Sequence, residues 1–228
     1  MSAPPIIERL RGGLIVSCQA YPGEPLRDPD TMRRMAQAAV LGGAVGIRAQ
    51  GPDDLRLIHD VIEVPLIGLW KIGTSGVFIT PTVDHGIQVA AAGADIIAID
   101  GTRRPRPDGR SLAETITALH NRTGVLVLAD VGDLDDGIAS AEAGADLIST
   151  TLSGYTGSRH RTEGPDIALI TELTGAVDVP VLAEGRIHTP DQARECIDAG
   201  AFAVVVGTAI THPTSITGWF AAAVKENQ

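Results

Sequence analysis

The chain has 228 residues and a formal net charge of −10, with 44% hydrophobic, 20% charged and only 3% aromatic residues. That acidity excludes the basic face needed for nucleic acid or an acidic membrane surface, and no run of about 18 apolar residues marks a membrane span. The length and the even composition predict one domain, residues 1–228, with a core filled mainly by Ala, Val, Ile and Leu.

The opening MSAPPIIERLRGG lacks an apolar segment followed by small residues, so no secretory signal is expected. GGLIVSCQ (12–19) is the first strand candidate and ends at Gln19. TMRRMAQAAVLGG has helical periodicity, and Gly43 leads into a strand over 45–50 that carries Arg48. PLIGLWK (65–71) is a third strand, closing on Lys71. TVDHGIQVAAAG reads as a helix, and the strand after it (95–100) ends at Asp100. GVLVLAD (124–130) ends at Asp130, and the strand over 147–152 runs into the segment Thr150 to Gly154. PVLAEGR (180–186) ends in Glu184-Gly185-Arg186. TPDQARECIDAG then reads as a helix capped by Thr189 with Pro190 in its first turn. The last strand (203–208) ends in Gly207-Thr208-Ala209, and the tail TGWFAAAVKENQ reads as an apolar helix for its own barrel or a second subunit.

One phrase recurs through this series. A helix end, Gly-Ala and an apolar strand are joined at Gly43, Gly93, Gly144 and Gly200, with successive offsets of 50, 51 and 56 residues. A glycine just past a helix supplies the left-handed conformation that ends it, and the β-branched run beyond has the character of a strand buried on both faces. Two β/α units per repeat and four repeats give eight parallel strands, an α/β chain predicted to close as a single (β/α)8 TIM barrel of the phosphate-binding type. An open doubly wound sheet is the alternative, but no G-x-G-x-x-G follows the first strand.

In a barrel the chemistry sits at the C-terminal ends of the strands. Apolar strands that end in Gln19, Lys71, Asp100, Asp130 and Glu184, with Arg48 inside another, place a polar group above a packed core. Each residue also has a plain structural reading: a snorkelling lysine, a helix-capping aspartate, an Arg–Asp pair. Gly185 and Arg186 after strand 7, with Gly207 and Thr208 after strand 8, occupy the loops that bind phosphate in such barrels; Arg186 could instead pair with a carboxylate. The six histidines show no zinc-ligand spacing, and His59, His85 and His120 fall on helices. No G-x-S-x-G elbow is present, so neither a metal nor a serine nucleophile is expected. Cys18 and Cys196 read as free thiols of a reducing cytoplasm.

GGLIVSCQ, AVGIRAQG, DIIAIDGTRRPRP, TTLSGYT, VLAEGRIHTP and VVVGTAIT resemble the bacterial N-acetylmannosamine-6-phosphate 2-epimerases, from about Gly12 to Trp219. The resemblance implies conversion of N-acetylmannosamine 6-phosphate to N-acetylglucosamine 6-phosphate in sialic-acid degradation, without an added cofactor and in a homodimer. It implies Lys71 and Glu184 as the catalytic pair, Gln19, Arg48 and Asp130 as substrate contacts, and Gly185 and Gly207 as parts of a phosphate cradle. Two departures stand out: Ile72-Gly73 follows Lys71 where the family has Arg-Asp, and His212 stands where an Arg is usual. These leave two other readings open, a Schiff-base aldolase acting through Lys71 and a barrel that only binds a sugar phosphate.

Overall fold

The computed structural model describes residues 4–225. Eight strands, β1 (Leu14–Cys18), β2 (Gly46–Gln50), β3 (Leu66–Leu69), β4 (Ile96–Asp100), β5 (Leu126–Asp130), β6 (Leu147–Ser149), β7 (Val181–Glu184) and β8 (Ala203–Val206), follow one another in chain order. Each pairs in parallel with the next and β8 returns to β1, closing the barrel. Between them lie α2 (Pro29–Leu41), α3 (Pro52–His59), α4 (Val83–Ala91), α5 (Leu112–Thr123), α6 (Leu134–Glu142), α7 (Ile167–Ala176) and α8 (Pro190–Asp198). A short α1 (Pro5–Glu8) precedes the barrel; α9 (Thr208–Thr211) and α10 (Pro213–Ala223) follow it. No helix among the described residues is long and apolar enough to cross a membrane.

The expected barrel is therefore the observed one, with strands shorter than the apolar runs suggested. The run 65–71 stops as a strand at Leu69, and 147–152 at Ser149, where Thr150–Leu152 forms one turn of 3-10 helix. The chain bends there because the following groups turn to the polar mouth.

Inward-facing residues of successive strands, among them Ile15, Ile67, Leu69, Ile96, Leu128 and Val205, fill the barrel interior, and Ile7 and Leu10 close its N-terminal end. Such a narrow interior is filled by aliphatic side chains in layers, which accounts for the scarcity of aromatics. A second apolar layer joins the outer strand faces to the helices, including Met32, Ile58, Val89, Ile116 and Leu173. Seven of the described helices are capped at their N-termini by a side chain: Asp28, Thr82, Ser111, Asp133, Asp166, Thr189 and His212. Each cap satisfies an orphan N–H and contributes about 1 kcal/mol. Cys18 and Cys196 are free and buried. Burial pushes their thiols up, to about 12 and about 11, which keeps both protonated and unreactive.

The four Gly-Ala joints behave alike. Gly43, Gly93, Gly144 and Gly200 have φ of 100°, 97°, 93° and 99°. Their surroundings differ, however: a Cβ on Gly93 would stand 2.5 Å from His59 Cγ, whereas one on Gly144 would meet nothing within 4 Å. Gly144→Ala therefore carries only backbone strain, about 1–2 kcal/mol. Gly93→Ala adds a clash and is the more destabilising of the two, an order that urea unfolding of both variants measures.

Candidate active site

Arg48 sits in the middle of β2 and faces the barrel interior, with only 1% of its surface exposed. Its guanidinium reaches across to β5, donating to both oxygens of Asp130 at 3.0 and 2.7 Å, and lies 3.2 Å from Glu184 Oε2 on β7. Burial alone would disfavour the cation; the two carboxylates more than offset it and hold Arg48 charged. Thr151 Oγ1 donates to Asp130 at 2.7 Å and accepts from the Ser149 hydroxyl at 2.8 Å, and Glu184 Oε2 lies 3.4 Å from that same hydroxyl. The Glu184 backbone is fixed in turn by Thr150, whose Oγ1 accepts from its N–H and donates to its carbonyl.

Lys71 arrives from β3 through Trp70. Thr80, wholly buried, accepts from the Trp70 N–H at 3.0 Å and donates to the Ala98 carbonyl at 2.7 Å. Its φ of +44° is rare for a β-branched residue, and strain of this kind persists where surrounding structure enforces it. Lys71 Nζ donates to Gln19 Oε1 at 2.6 Å, and Gln19 Nε2 donates to Ser17 Oγ at 2.6 Å. Burial, assisted by Arg48 and opposed by Glu184 and Asp130, lowers the amine to about 8. Burial also raises the Glu184 carboxyl, with Asp130 adding to the effect and Arg48 and Thr151 opposing it.

Among the described residues Lys71 and Glu184 form no ion pair with each other. Arg48 and Asp130 already cancel, so the enclosed quartet is neutral when Lys71 is an amine and Glu184 a carboxylic acid. It is equally neutral when one proton has moved from the acid to the amine. The arrangement can take a proton at one place and give one at another without changing its net charge.

Beside this cluster the loops after β7 and β8 border a cavity of about 520 Å³ whose wall includes Tyr155, Arg161, Arg186, His188, Thr208 and Trp219. Gly185, with φ of 109°, and Gly207 place bare backbone at the strand ends. Arg186 has its guanidinium committed elsewhere: it donates to the carbonyls of Ser153 and Gly164, at 2.7 and 3.0 Å, and to Thr162. Among the described residues it pairs with no carboxylate, and it ties the loop after β6 to the one after β7.

Asp100 stands beside Asp130 in the register of β4 and β5, but its carboxylate is taken by Thr102 and Arg104. His212 bonds Glu24 through Nε2 and Ser215 through Nδ1, at 2.7 Å for the second. Ile72 is part of the turn between Lys71 and Ile79, where its N–H donates to the Phe78 carbonyl, and Gly73 has a φ of +82°. Thr80 and Ser149 carry contacts that no reading of strand ends singled out, whereas Thr151 lies in the segment Thr150 to Gly154 read as the end of the sixth strand. Among the described residues no group of three His, Cys, Asp or Glu is placed to hold a metal ion.

A closed eight-stranded parallel barrel, with a lysine lowered and a glutamate raised by burial at its mouth, has the architecture of a (β/α)8 enzyme. Residues 32–226 match the model of the family described as "Putative N-acetylmannosamine-6-phosphate epimerase". Two relatives carry the description "Putative N-acetylmannosamine-6-phosphate 2-epimerase". The one from Cutibacterium acnes is 60% identical over 96% of this chain and 97% of its own. The one from Caldanaerobacter subterraneus is 47% identical over 98% and 95%. The solved structure of the N-acetylmannosamine-6-phosphate 2-epimerase from Clostridium perfringens superposes with a TM-score of 0.93 at 39% identity, covering 98% of both chains. The chain belongs to the N-acetylmannosamine-6-phosphate 2-epimerase family.

Arg48→Met leaves Asp130 buried without its partner and costs about 3–5 kcal/mol. Adding Asp130→Leu to that variant restores much of the loss. Urea denaturation of the single and double variants reads both steps.

Proposed function

We propose that the protein is an isomerase that inverts C2 of N-acetylmannosamine 6-phosphate to give N-acetylglucosamine 6-phosphate, in N-acetylneuraminate degradation. The observation that carries this reading is the pair Lys71 and Glu184. Both are pushed toward their uncharged forms, and both stand beside a neutralised Arg48–Asp130 pair. In the open-chain sugar the C1 aldehyde acidifies the C2 hydrogen. Neutral Lys71 takes that proton and becomes an ammonium, leaving an enolate whose negative charge rests on the C1 oxygen. Glu184 delivers its proton to the opposite face of C2 and becomes a carboxylate, and return of one proton from amine to carboxylate resets the site. For the reverse epimer the charged form of the pair runs the same steps backwards. No electrons change hands, and the reaction as written calls for no added cofactor.

Arg48 faces the developing oxyanion while Gln19 and Asp130 orient the acetamido and hydroxyl groups. The phosphate lies toward Gly185, Arg186, Gly207 and Thr208, where the 520 Å³ cavity adds Arg161 and His188. The side chain of Arg186 contributes there by holding the loop after β6, and its backbone by lining the anion. The buried free thiols of Cys18 and Cys196 support a cytoplasmic location.

We also propose a homodimer. Consecutive helices pack side by side from α2 to α8, but α10 rests mainly on α9 and buries none of its residues. Phe220 and Val224 are 72% and 71% exposed. Between β1, β8 and α8 an apolar groove of about 420 Å³, lined by Leu14, Ile187, Ala193, Ile197, Val204 and Val206, stays uncovered. The α10 of a second copy supplies the missing cover.

Proton NMR of N-acetylmannosamine 6-phosphate with the enzyme in deuterium oxide reports turnover, product and C2 exchange together. Lys71→Ala is expected to abolish exchange and Glu184→Gln to abolish conversion. Full conversion by Glu184→Gln would assign both proton transfers to Lys71 alone. Borohydride is expected to leave Lys71 unmodified, whereas a trapped adduct would mean Schiff-base chemistry instead.

Because Lys71 acts as base only when neutral, kcat/KM for the mannosamine substrate falls as pH drops through about 8, by roughly tenfold per unit below it. A pH–rate profile flat to pH 6 would rule out the amine as base. Light scattering is expected to give a dimer mass, and Phe220→Asp a monomer.

A further inference from the structure

Tyr21 belongs to the loop after β1, two residues beyond Gln19, and its ring centroid stands 5.4 Å from Lys71 Nζ. The ring is 52% exposed, so it is a cover over the amine and not a core residue. Three contacts hold it from behind. The Tyr21 N–H donates to Glu24 Oε2 at 2.7 Å. The other Glu24 oxygen bonds His212 Nε2, and the His212 ring meets the Tyr21 ring edge-on, with centroids 5.6 Å apart and planes at 76°. His212 also caps α10 by accepting from the Ser215 N–H. A continuous line of contacts therefore runs from the start of α10 through His212 and Glu24 to the ring above Lys71.

We infer that Tyr21 is a positioning residue that shields the Lys71 amine from water, and that the Glu24–His212 pair pins it there. The inference deepens the reading of Lys71 as the catalytic base and rests on it. A ring over an amine acts in two opposed ways: it removes water, which favours the neutral form, and its face attracts the ammonium. Burial is the largest influence on Lys71, and the face attraction of a half-exposed ring is the smaller effect. Shielding wins. The other groups that face the amine are Arg48 from β2, Asp130 from β5, Glu184 from β7, and Gln19 and Arg27 from the segment after β1. None of them is altered by a change at Tyr21.

The sequence contains only two lysines, Lys71 and Lys225. Full-length protein carrying lysine labelled with 13C at Cε therefore shows two titrating signals, with Lys225 as an internal reference. In Tyr21→Ala the Lys71 midpoint is expected to rise by about one pH unit, which cuts its neutral fraction and kcat/KM at pH 7 by roughly tenfold. Tyr21→Phe keeps the ring and is expected to restore the Lys71 titration midpoint, since it is the face and not the hydroxyl that covers the amine. Glu24→Gln and His212→Gln shift the midpoint in the same upward direction by a smaller amount. A Lys71 midpoint that stays put or falls in folded Tyr21→Ala overturns the inference. Retained C2 exchange in Lys71→Ala would instead remove the reading of Lys71 as base, so the two failures are distinguishable.

Discussion

Arg48 is the largest side chain that the barrel encloses completely, and its double hydrogen bond to Asp130 spans the interior from β2 to β5. A buried ion pair contributes little net stability, because desolvation consumes most of the Coulombic gain. Here its effect is on its neighbours. With Asp130 committed to Arg48, Glu184 shares the same guanidinium at longer range and has no cation of its own. Lys71, on the other side, feels a cation that lowers it and two carboxylates that pull the other way. Two groups that would form a plain salt bridge in contact are instead kept apart, the amine lowered and the carboxyl raised by burial. Ser149, Thr151 and Gln19 then fix their directions through hydroxyl and amide hydrogen bonds.

The barrel was legible because its signals are local. A helix stop, Gly-Ala and a β-branched run lie within a dozen residues and recur at nearly constant spacing. Strand ends were less legible, since Trp70 and Leu152 are as apolar as the strand residues before them and only the closed barrel shows where pairing stops. α1 was missed as an element: four residues cannot display helical periodicity, and its role as a plug is visible only once Ile7 and Leu10 meet the barrel interior.

The site divides along the same line. Ionisable residues that end apolar strands announce themselves, which is how Lys71, Asp130, Glu184 and Gln19 came to notice, and Arg48 stood out within a strand. Residues whose part depends on distant partners do not. Thr80 lies outside every strand end and motif, yet it holds the backbone ahead of Lys71 through Ala98. Arg186 follows strand 7 as a phosphate ligand would, but its guanidinium meets the loop carbonyls of Ser153 and Gly164, which no spacing connects to it. His212 replaces a longer cation and is engaged by Glu24, 188 residues earlier in the chain.

The joints that make the fold and the groups that form its cluster lie at opposite ends of the strands. At the far end Asp95 and Asp146, each two residues past a joint glycine, accept the N–H of Leu66 and Val127 and anchor neighbouring strands from below. Nothing there touches Lys71 or Glu184. The two ends can therefore be altered separately: a change at Asp95 or Asp146 loosens the footing of a strand and leaves the contacts of Lys71 and Glu184 as they are.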